Sequence, residues 1–371
     1  MIKLARYVDV YVPVESCTLR CHYCYITTHR RFDNKLPVFK YSPTQIRQGL
    51  SQKRLGGPAF LSFCGGGETL LPLEMPAYFR ELLNEGHYIG VVTNGTVNRA
   101  FDEIAKFPPE QIRRIFFKFS YHHFELRDRS LQDRFFSNVR RMRGLGAAVT
   151  VEVTPNDELI PYIEEIKEIC KREVGAWPHV SVARDERDMG ALPILTRLSR
   201  CDYEKVWGAF DSELFRFKMT VFGRRQPYFC HAGDWTFNFD LGSGTMKQCY
   251  CSLYQQNIID DPTKPINFLP IGHCCLEPHC HNAHVFLGYG DMPELDGTRY
   301  DLERNRQCED GTEWLNQEFK EIMHQRLCDN HPPYSMFKRL VIDVRMKSIV
   351  LAGEVKGMTR RVARKIRNII R

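Results

Sequence analysis

Six short runs rich in β-branched and aromatic residues alternate with helix-period stretches over the first 185 residues, and no other feature limits the fold as tightly. The strand candidates are 7–14 (YVDVYVPV), 59–63 (AFLSF), 88–93 (YIGVVT), 112–119 (IRRIFFKF), 147–153 (AAVTVEV) and 179–183 (HVSVA). Amphipathic stretches near 43–53, 74–85, 98–106, 130–143 and 158–172 separate them. Strands joined through helices pair in parallel by right-handed crossovers, so the pattern predicts an α/β fold. Six units are too few for the eight-fold closed barrel, and a partial (β/α)6 parallel barrel fits. The alternation stops near 190, and a connector follows over 200–225, helical near 203–214. The expected organisation is a barrel over 1–218, a small Cys-rich domain over 219–331 and a C-terminal extension over 332–371.

Eight of the fourteen cysteines fall in 226–331, with seven of the thirteen histidines, many Gly and Pro turns and little periodicity. Such a segment builds no sufficient core of its own and needs an internal staple. No apolar run approaches the ~20 residues of a membrane span, and the basic start leads into no signal-peptide core. A cytoplasmic location follows as the expectation, and there thiols stay reduced. Metal ligation is then a better reading of the cysteines than a disulfide framework. The charge is equally localised. The chain has 52 Lys and Arg, 45 Asp and Glu and a net charge of +7, and residues 356–371 alone carry seven basic side chains with no acidic one.

Cys17-Thr-Leu-Arg-Cys21-His-Tyr-Cys24 follows the first strand. Thiolates at i, i+4 and i+7 in one loop converge on one point, and three are one short of filling a four-iron cluster. The open iron position would take a substrate or cofactor. A zinc site using two of these cysteines, with His22, is the alternative. The Cys-x3-Cys-x2-Cys spacing, the aromatic before the last Cys and the place after strand one favour the cluster.

On these residues the sequence resembles the radical S-adenosylmethionine (radical SAM) superfamily, over about residues 7–185. The resemblance implies a 4Fe-4S cluster whose open iron binds the amino and carboxylate groups of S-adenosylmethionine (AdoMet). It implies reductive cleavage of AdoMet to a 5′-deoxyadenosyl radical that takes a hydrogen atom from the substrate. In Phe63-Cys64-Gly65-Gly66-Gly67-Glu68 it implies that Gly66, Gly67 and Glu68 meet the AdoMet amino group, with Thr69 standing where the family usually has Pro. Asn94, in Thr93-Asn94-Gly95, matches the segment near the ribose, and Ser120 matches a position that bonds ribose or carboxylate. Glu152 and Arg184, on or after strands five and six, are looser candidates, Arg by its forked donors. Cys64 is the thiol nearest the cofactor and a candidate hydrogen-atom donor, against a plain role as a small buried hydrophobe. These positions share one rim, at the C-terminal ends of the strands.

Cys230-x13-Gly244-x4-Cys249 resembles the entry to the auxiliary-cluster domains called SPASM and twitch. A hairpin of 235–240 and 245–250, turning through Leu241-Gly-Ser-Gly, would bring Cys230 and Cys249 together. The sequence then departs from the full SPASM spacing, with Cys274-Cys275-x4-Cys280. The expectation is at least one auxiliary 4Fe-4S cluster on Cys230, Cys249, Cys280 and one of Cys274 or Cys275. Cys251, Cys308 and Cys328 remain, the last two as thiols for a second cluster. Zinc on Cys280, His281 and His284 is the alternative.

The resemblance implies an enzyme that oxidises, cross-links or epimerises a peptide or protein, fed by an external donor of flavodoxin or ferredoxin type. A carbohydrate or small polar metabolite is the alternative substrate, because strand one begins by residue 7 and leaves no N-terminal peptide-recognition domain. A non-catalytic zinc protein contacting nucleic acid through its tail is the reading from another class. In that tail Met358, Val362, Ile366 and Ile369/Ile370 recur among Arg and Lys, the pattern of a basic amphipathic helix. It suits docking on the barrel or peripheral contact with an anionic membrane surface through 356–371. Nucleic acid fits less well, since no aromatic platform accompanies the charges.

Overall fold

The computed structural model describes residues 2–250, 253–280 and 284–352; Cys251, His281 and the basic stretch 356–371 lie outside the described residues. The six expected strands are β1 (Arg6–Val12), β2 (Ala59–Gly65), β3 (Tyr88–Thr93), β4 (Ile115–Tyr121), β5 (Ala148–Val153) and β6 (His179–Val180). Each pairs in parallel with the next. β3 and β5 are buried almost throughout, which is why they read as unbroken apolar runs rather than alternating ones. β6 is shorter than expected, and the Ser212 hydroxyl closes its outer edge by accepting from the Val180 N–H at 3.1 Å.

The crossover helices fall where the periodicity places them. The first opens as Pro43–Gly49, where Ser42 and Gln45 form a reciprocal capping box. Met75–Asn84, Asn98–Ile104, Gln132–Gly144 and Ile163–Val174 follow. The connector makes two helices, Arg200–Trp207 and Glu213–Val221, broken where Asp211 takes a left-handed φ of 48° and Ser212 caps the second.

The hairpin of the Cys-rich region forms from β7 (Thr236–Asp240) and β8 (Thr245–Lys247), with Gly244 at a φ of 70° in its turn. The second strand stops short of the expected Tyr250, and β9 (Gln255–Asn257) pairs beside it. β7 also pairs in parallel with β1, so one nine-stranded sheet runs in the order β6-β5-β4-β3-β2-β1-β7-β8-β9.

One core lies between the sheet and its crossover helices. A second fills the end of the concave face, where Tyr7, Phe60 and Phe116 meet Phe286, Tyr289, Tyr300 and Phe319. The latter residues come from helices His284–Gly288, Tyr300–Arg304 and Gln317–His324 and the turn after the first of them. The Cys-rich region therefore shares an apolar core with the barrel, each buried ring contributing about 1.5–3 kcal/mol. No helix among the described residues is long and apolar enough to cross a membrane.

Candidate active site

Beyond the last residues of β1 and β2 the backbones keep bonding. Gly66 N–H donates to Val12 O at 3.4 Å, Gly67 N–H to Val14 O at 2.5 Å and Glu68 N–H to Ser16 O at 2.9 Å. A Cβ on Gly67 would stand 2.0 Å from the Ser16 carbonyl oxygen, so this approach requires glycine. The glycine turn is thereby locked against the cysteine loop. In that loop Cys24 N–H donates to Cys21 O at 3.1 Å, and Cys24 is the N-cap residue of helix Tyr25–Thr28. Tyr25 Oη donates to Gly66 O at 2.8 Å, a second tie between motif and turn.

Burial pushes the Cys17 thiol up to about 11, with repulsion from Glu68 adding to it, and raises Cys21 and Cys24 as well. Thiols held this way are deprotonated by the metal they bind rather than in advance of it. No three described His, Cys, Asp or Glu side chains converge as ligands of one ion. The ligands of a four-iron cluster each bind a different iron, so a cluster asks for neighbouring thiolates rather than for one shared point.

The rim continues onto β3. The Glu68 carboxylate is buried and accepts from Thr93 Oγ1 (2.6 Å), Asn94 N–H (2.7 Å) and Leu70 N–H (3.0 Å). It pins the end of β3 to the turn after β2. Asn94 Nδ2 donates to Thr18 Oγ1 at 2.8 Å and lies 3.5 Å from Cys17 Sγ.

A cavity of about 520 Å³ opens on these groups. Its walls carry Cys17, Cys21, Cys24, Cys64, Gly66, Gly67, Glu68, Asn94, Ser120 and Arg184. Of the expected rim residues only Glu152 stands off the wall, buried behind it, where it accepts from Arg304 and lies 3.3 Å from Lys118 Nζ. Those two cations lower its carboxyl against the opposing effect of burial. Arg184 pairs with Glu186 on the wall. Burial pushes the Cys64 thiol up to about 11, so it keeps its proton at neutral pH.

The sequence reading missed Asp9, Lys118, Lys218, Tyr250 and Arg304, which also face the cavity. Asp9 in YVDVYV and Lys118 in IFFKFSY are charges inside apolar strands, and that was the available signal. Tyr250 directly follows Cys249, and its Oη donates to Asp9 Oδ2 at 2.8 Å.

The second group of thiols connects to this cavity through Tyr250, the residue after Cys249. Cys230, Cys249, Cys275 and Cys280 pack on the shared aromatic core. Burial raises Cys230, Cys249 and Cys280, and the neighbouring thiols add repulsion: Cys230 faces Cys249 and Cys280, and Cys249 and Cys280 both face Cys275. Cys274 faces the other way, its Sγ 3.8 Å from Asp343 O, among Phe229, Ile342 and Met346. Cys308 is buried elsewhere, with Sγ near Arg143 Nη2 (3.3 Å) and Val174 O (3.5 Å). Cys328 packs at the margin of the same core, next to Gly290. None of the thirteen described cysteines forms a disulfide.

An open parallel barrel with a three-thiol loop after its first strand, a glycine turn locked to that loop and one cavity at the strand ends defines the class of protein. Residues 11–154, under half of the chain, match the family model of the radical SAM superfamily. Comparison with curated proteins gives no match. Among solved structures, Streptococcus suis SuiB bound to S-adenosylmethionine is similar at 13% identity and a TM-score of 0.50, over 69% of this chain and 64% of that one. The chain thus spans under two thirds of the length of SuiB. SuiB bound to the precursor peptide SuiA is similar at 13% identity and a TM-score of 0.48, over 70% of this chain and 64% of that one. A polyhistidine-tagged anSMEcpe with bound AdoMet is similar at 14% identity and a TM-score of 0.51, over 91% of this chain and 98% of that one.

The residues fit the cofactors of the superfamily, a 4Fe-4S cluster and AdoMet. Three thiols share one wall with a backbone turn whose glycines admit no side chain.

Proposed function

We propose that this chain modifies a peptide by radical SAM chemistry, with an auxiliary 4Fe-4S cluster on Cys230, Cys249, Cys275 and Cys280. The observation that supports this reading is a cavity wall that carries Cys17, Cys21 and Cys24 together with Tyr250, the residue after Cys249, whose hydroxyl donates to Asp9. When bound, the first cluster and AdoMet supply a 5′-deoxyadenosyl radical, fed by an external donor of flavodoxin or ferredoxin type. Gly66, Gly67, Asn94, Ser120 and Arg184 hold AdoMet, and Glu68 fixes the turn that does so. Glu152 acts from behind the wall by positioning Arg304 and Lys118. SuiB, whose fold the chain shares, is seen with a precursor peptide, and a peptide is the substrate class adopted here. Cys64 carries an S–H on the wall and returns a hydrogen atom to the substrate, which favours epimerisation over oxidation or cross-linking. The thiyl left behind would be returned to the thiol by one electron from the external donor and one proton from water.

The division adopted is a barrel over 1–218, an auxiliary-cluster region over 219–331 and an extension over 332–371. In that extension the helical stretch 336–352 turns Met336, Phe337, Leu340, Val341, Val344 and Leu351 to solvent. With Lys338, Arg345 and Lys347 on the same helix, and the basic residues of 356–371 next in sequence, this face suits an anionic lipid surface.

Anaerobic reconstitution followed by iron and sulfide analysis tests the reading. The wild type is expected to hold two four-iron clusters and to release 5′-deoxyadenosine under dithionite. Cys21→Ala is expected to abolish that release, and Cys275→Ala to lose one cluster's iron, while Cys274→Ala keeps both. Stoichiometric zinc without a brown chromophore would sink the proposal, and equal iron loss in the two neighbouring variants would remove the ligand set.

A further inference from the structure

Three cations stand on the deep wall of the cavity, where a parallel barrel ordinarily packs apolar side chains. Lys118 belongs to the inward series Phe116, Lys118 and Ser120 of β4. Lys218 reaches the same wall from helix Glu213–Val221, and Arg304 from helix Tyr300–Arg304. Lys218 and Arg304 are 5% and 1% exposed. Burying a cation without a counter-charge costs several kcal/mol, so the anions nearby decide what the wall can bind.

Lys118 and Arg304 have a carboxylate partner, and Lys218 has none among the described residues. Glu152 serves both Arg304 and Lys118. Lys218 Nζ donates to the neutral Ser181 Oγ at 3.0 Å. Glu303 is also buried here, and burial pushes its carboxyl up to about 8, so it is protonated at neutral pH. Asp9 faces Lys118 from β1, but the Tyr250 hydroxyl occupies its Oδ2 and burial raises its carboxyl. Glu186 is paired with Arg184. Arg304 Nε is buried with no hydrogen-bond partner. Burial first, then crowding by Lys118, Arg184 and Arg304, lowers the Lys218 ammonium to about 7. An added negative charge would hold the Lys218 ammonium charged and give Arg304 Nε an acceptor.

We propose that Lys118, Lys218 and Arg304 seat an anionic group of the substrate, a carboxylate or a phosphate. The proposal rests on the radical SAM peptide-modifying reading above and deepens it. Lys118 lies two residues before Ser120 on β4, one inward step of about 7 Å below the cofactor rim. A group anchored there holds the adjoining carbon between rim and floor, within reach of Cys64 on β2, two strands along the sheet. In a peptide this group is an acidic side chain, a C-terminal carboxylate or a phosphorylated residue.

The test titrates reconstituted, AdoMet-saturated holoenzyme with glutarate and, separately, with inorganic phosphate. Calorimetry follows anion binding, and the paramagnetic signal of the reduced first cluster follows AdoMet. Saturable one-to-one binding of at least one anion is expected, weakened about tenfold or more in Lys218→Met and Lys118→Gln, with AdoMet affinity held. Lys218→Arg, which keeps the charge, is expected to keep binding. It carries the test with Lys118→Gln if Lys218→Met fails to fold. Binding of glutarate alone assigns a carboxylate, and of phosphate alone a phosphate. Equal binding by wild type and charge-removing variants, no saturable binding of either anion, or displacement of AdoMet by the anion overturns the site. AdoMet cleavage under dithionite separates the two levels. Its loss in the wild type removes the radical SAM reading, whereas intact cleavage without anion binding removes only this site.

Discussion

Cys64 sits on β2 one residue before the glycine turn, and burial keeps its thiol protonated to about 11. A hydrogen-atom donor must hold its proton at working pH, whereas a metal-binding or nucleophilic cysteine must lose it. Cys64→Ala is therefore expected to continue 5′-deoxyadenosine release while product falls at least tenfold, read by chromatography of both from one reaction. Product at the wild-type level would leave Cys64 a packing residue. At this scale the sequence was uneven. That Cys17, Cys21 and Cys24 share one loop on the cavity wall was legible because their spacing is local. Lys118, Lys218 and Arg304 come from separate parts of the chain, and their meeting is a tertiary fact. The choice between Cys274 and Cys275 was equally closed, since adjacent side chains in extended backbone face opposite ways.

Among the elements, the start of β3 shows how a buried titratable group can tie pieces together. His87 Nδ1 accepts from Ala59 N–H at 3.0 Å, so Nε2 carries the proton toward Leu50 O at 2.8 Å. One ring thus joins the start of β2 to the end of helix Pro43–Gly49. Burial lowers its pKa from 6.5 to about 4. Between those values the unfolded chain holds a proton that the folded chain does not, so stability falls as pH falls through this window. The loss reaches about 3 kcal/mol below pH 4. His87→Gln, which can keep both bonds, is expected to flatten the slope of unfolding free energy over pH 6.5 to 4 by about one proton. Denaturant midpoints taken across that range check it, and an unchanged slope would show that His87 protonates in the fold. The barrel strands were readable because burial wrote them as apolar runs. β9 was not, because Gln255-Gln256-Asn257 carries no such pattern and pairs only at the sheet's edge.

For the molecule as a whole, the region after residue 226 looked patternless because its apolar residues answer to the barrel's concave face and not to one another. Helix 336–352 shows the opposite case, with one face used and one to spare. Its inner side buries Ile342 and Met346 against Phe229 and Leu269. Its outer side leaves Met336 88% and Phe337 76% exposed, with Leu340, Val341 and Val344 continuing the arc. Apolar exposure of this extent, flanked by Lys and Arg, marks an interaction surface. An anionic bilayer satisfies both parts, since apolar side chains enter the headgroup boundary while cations meet phosphate. The full chain is expected to co-sediment with vesicles containing phosphatidylserine and to release them as salt screens the charges. Truncation after Glu354 is expected to abolish that binding, and Phe337→Glu with Leu340→Glu to weaken it, while both keep AdoMet cleavage. Vesicle binding that survives both changes would place the contact elsewhere. A self-association in solution that Leu340→Glu breaks would give this face to a second copy of the chain.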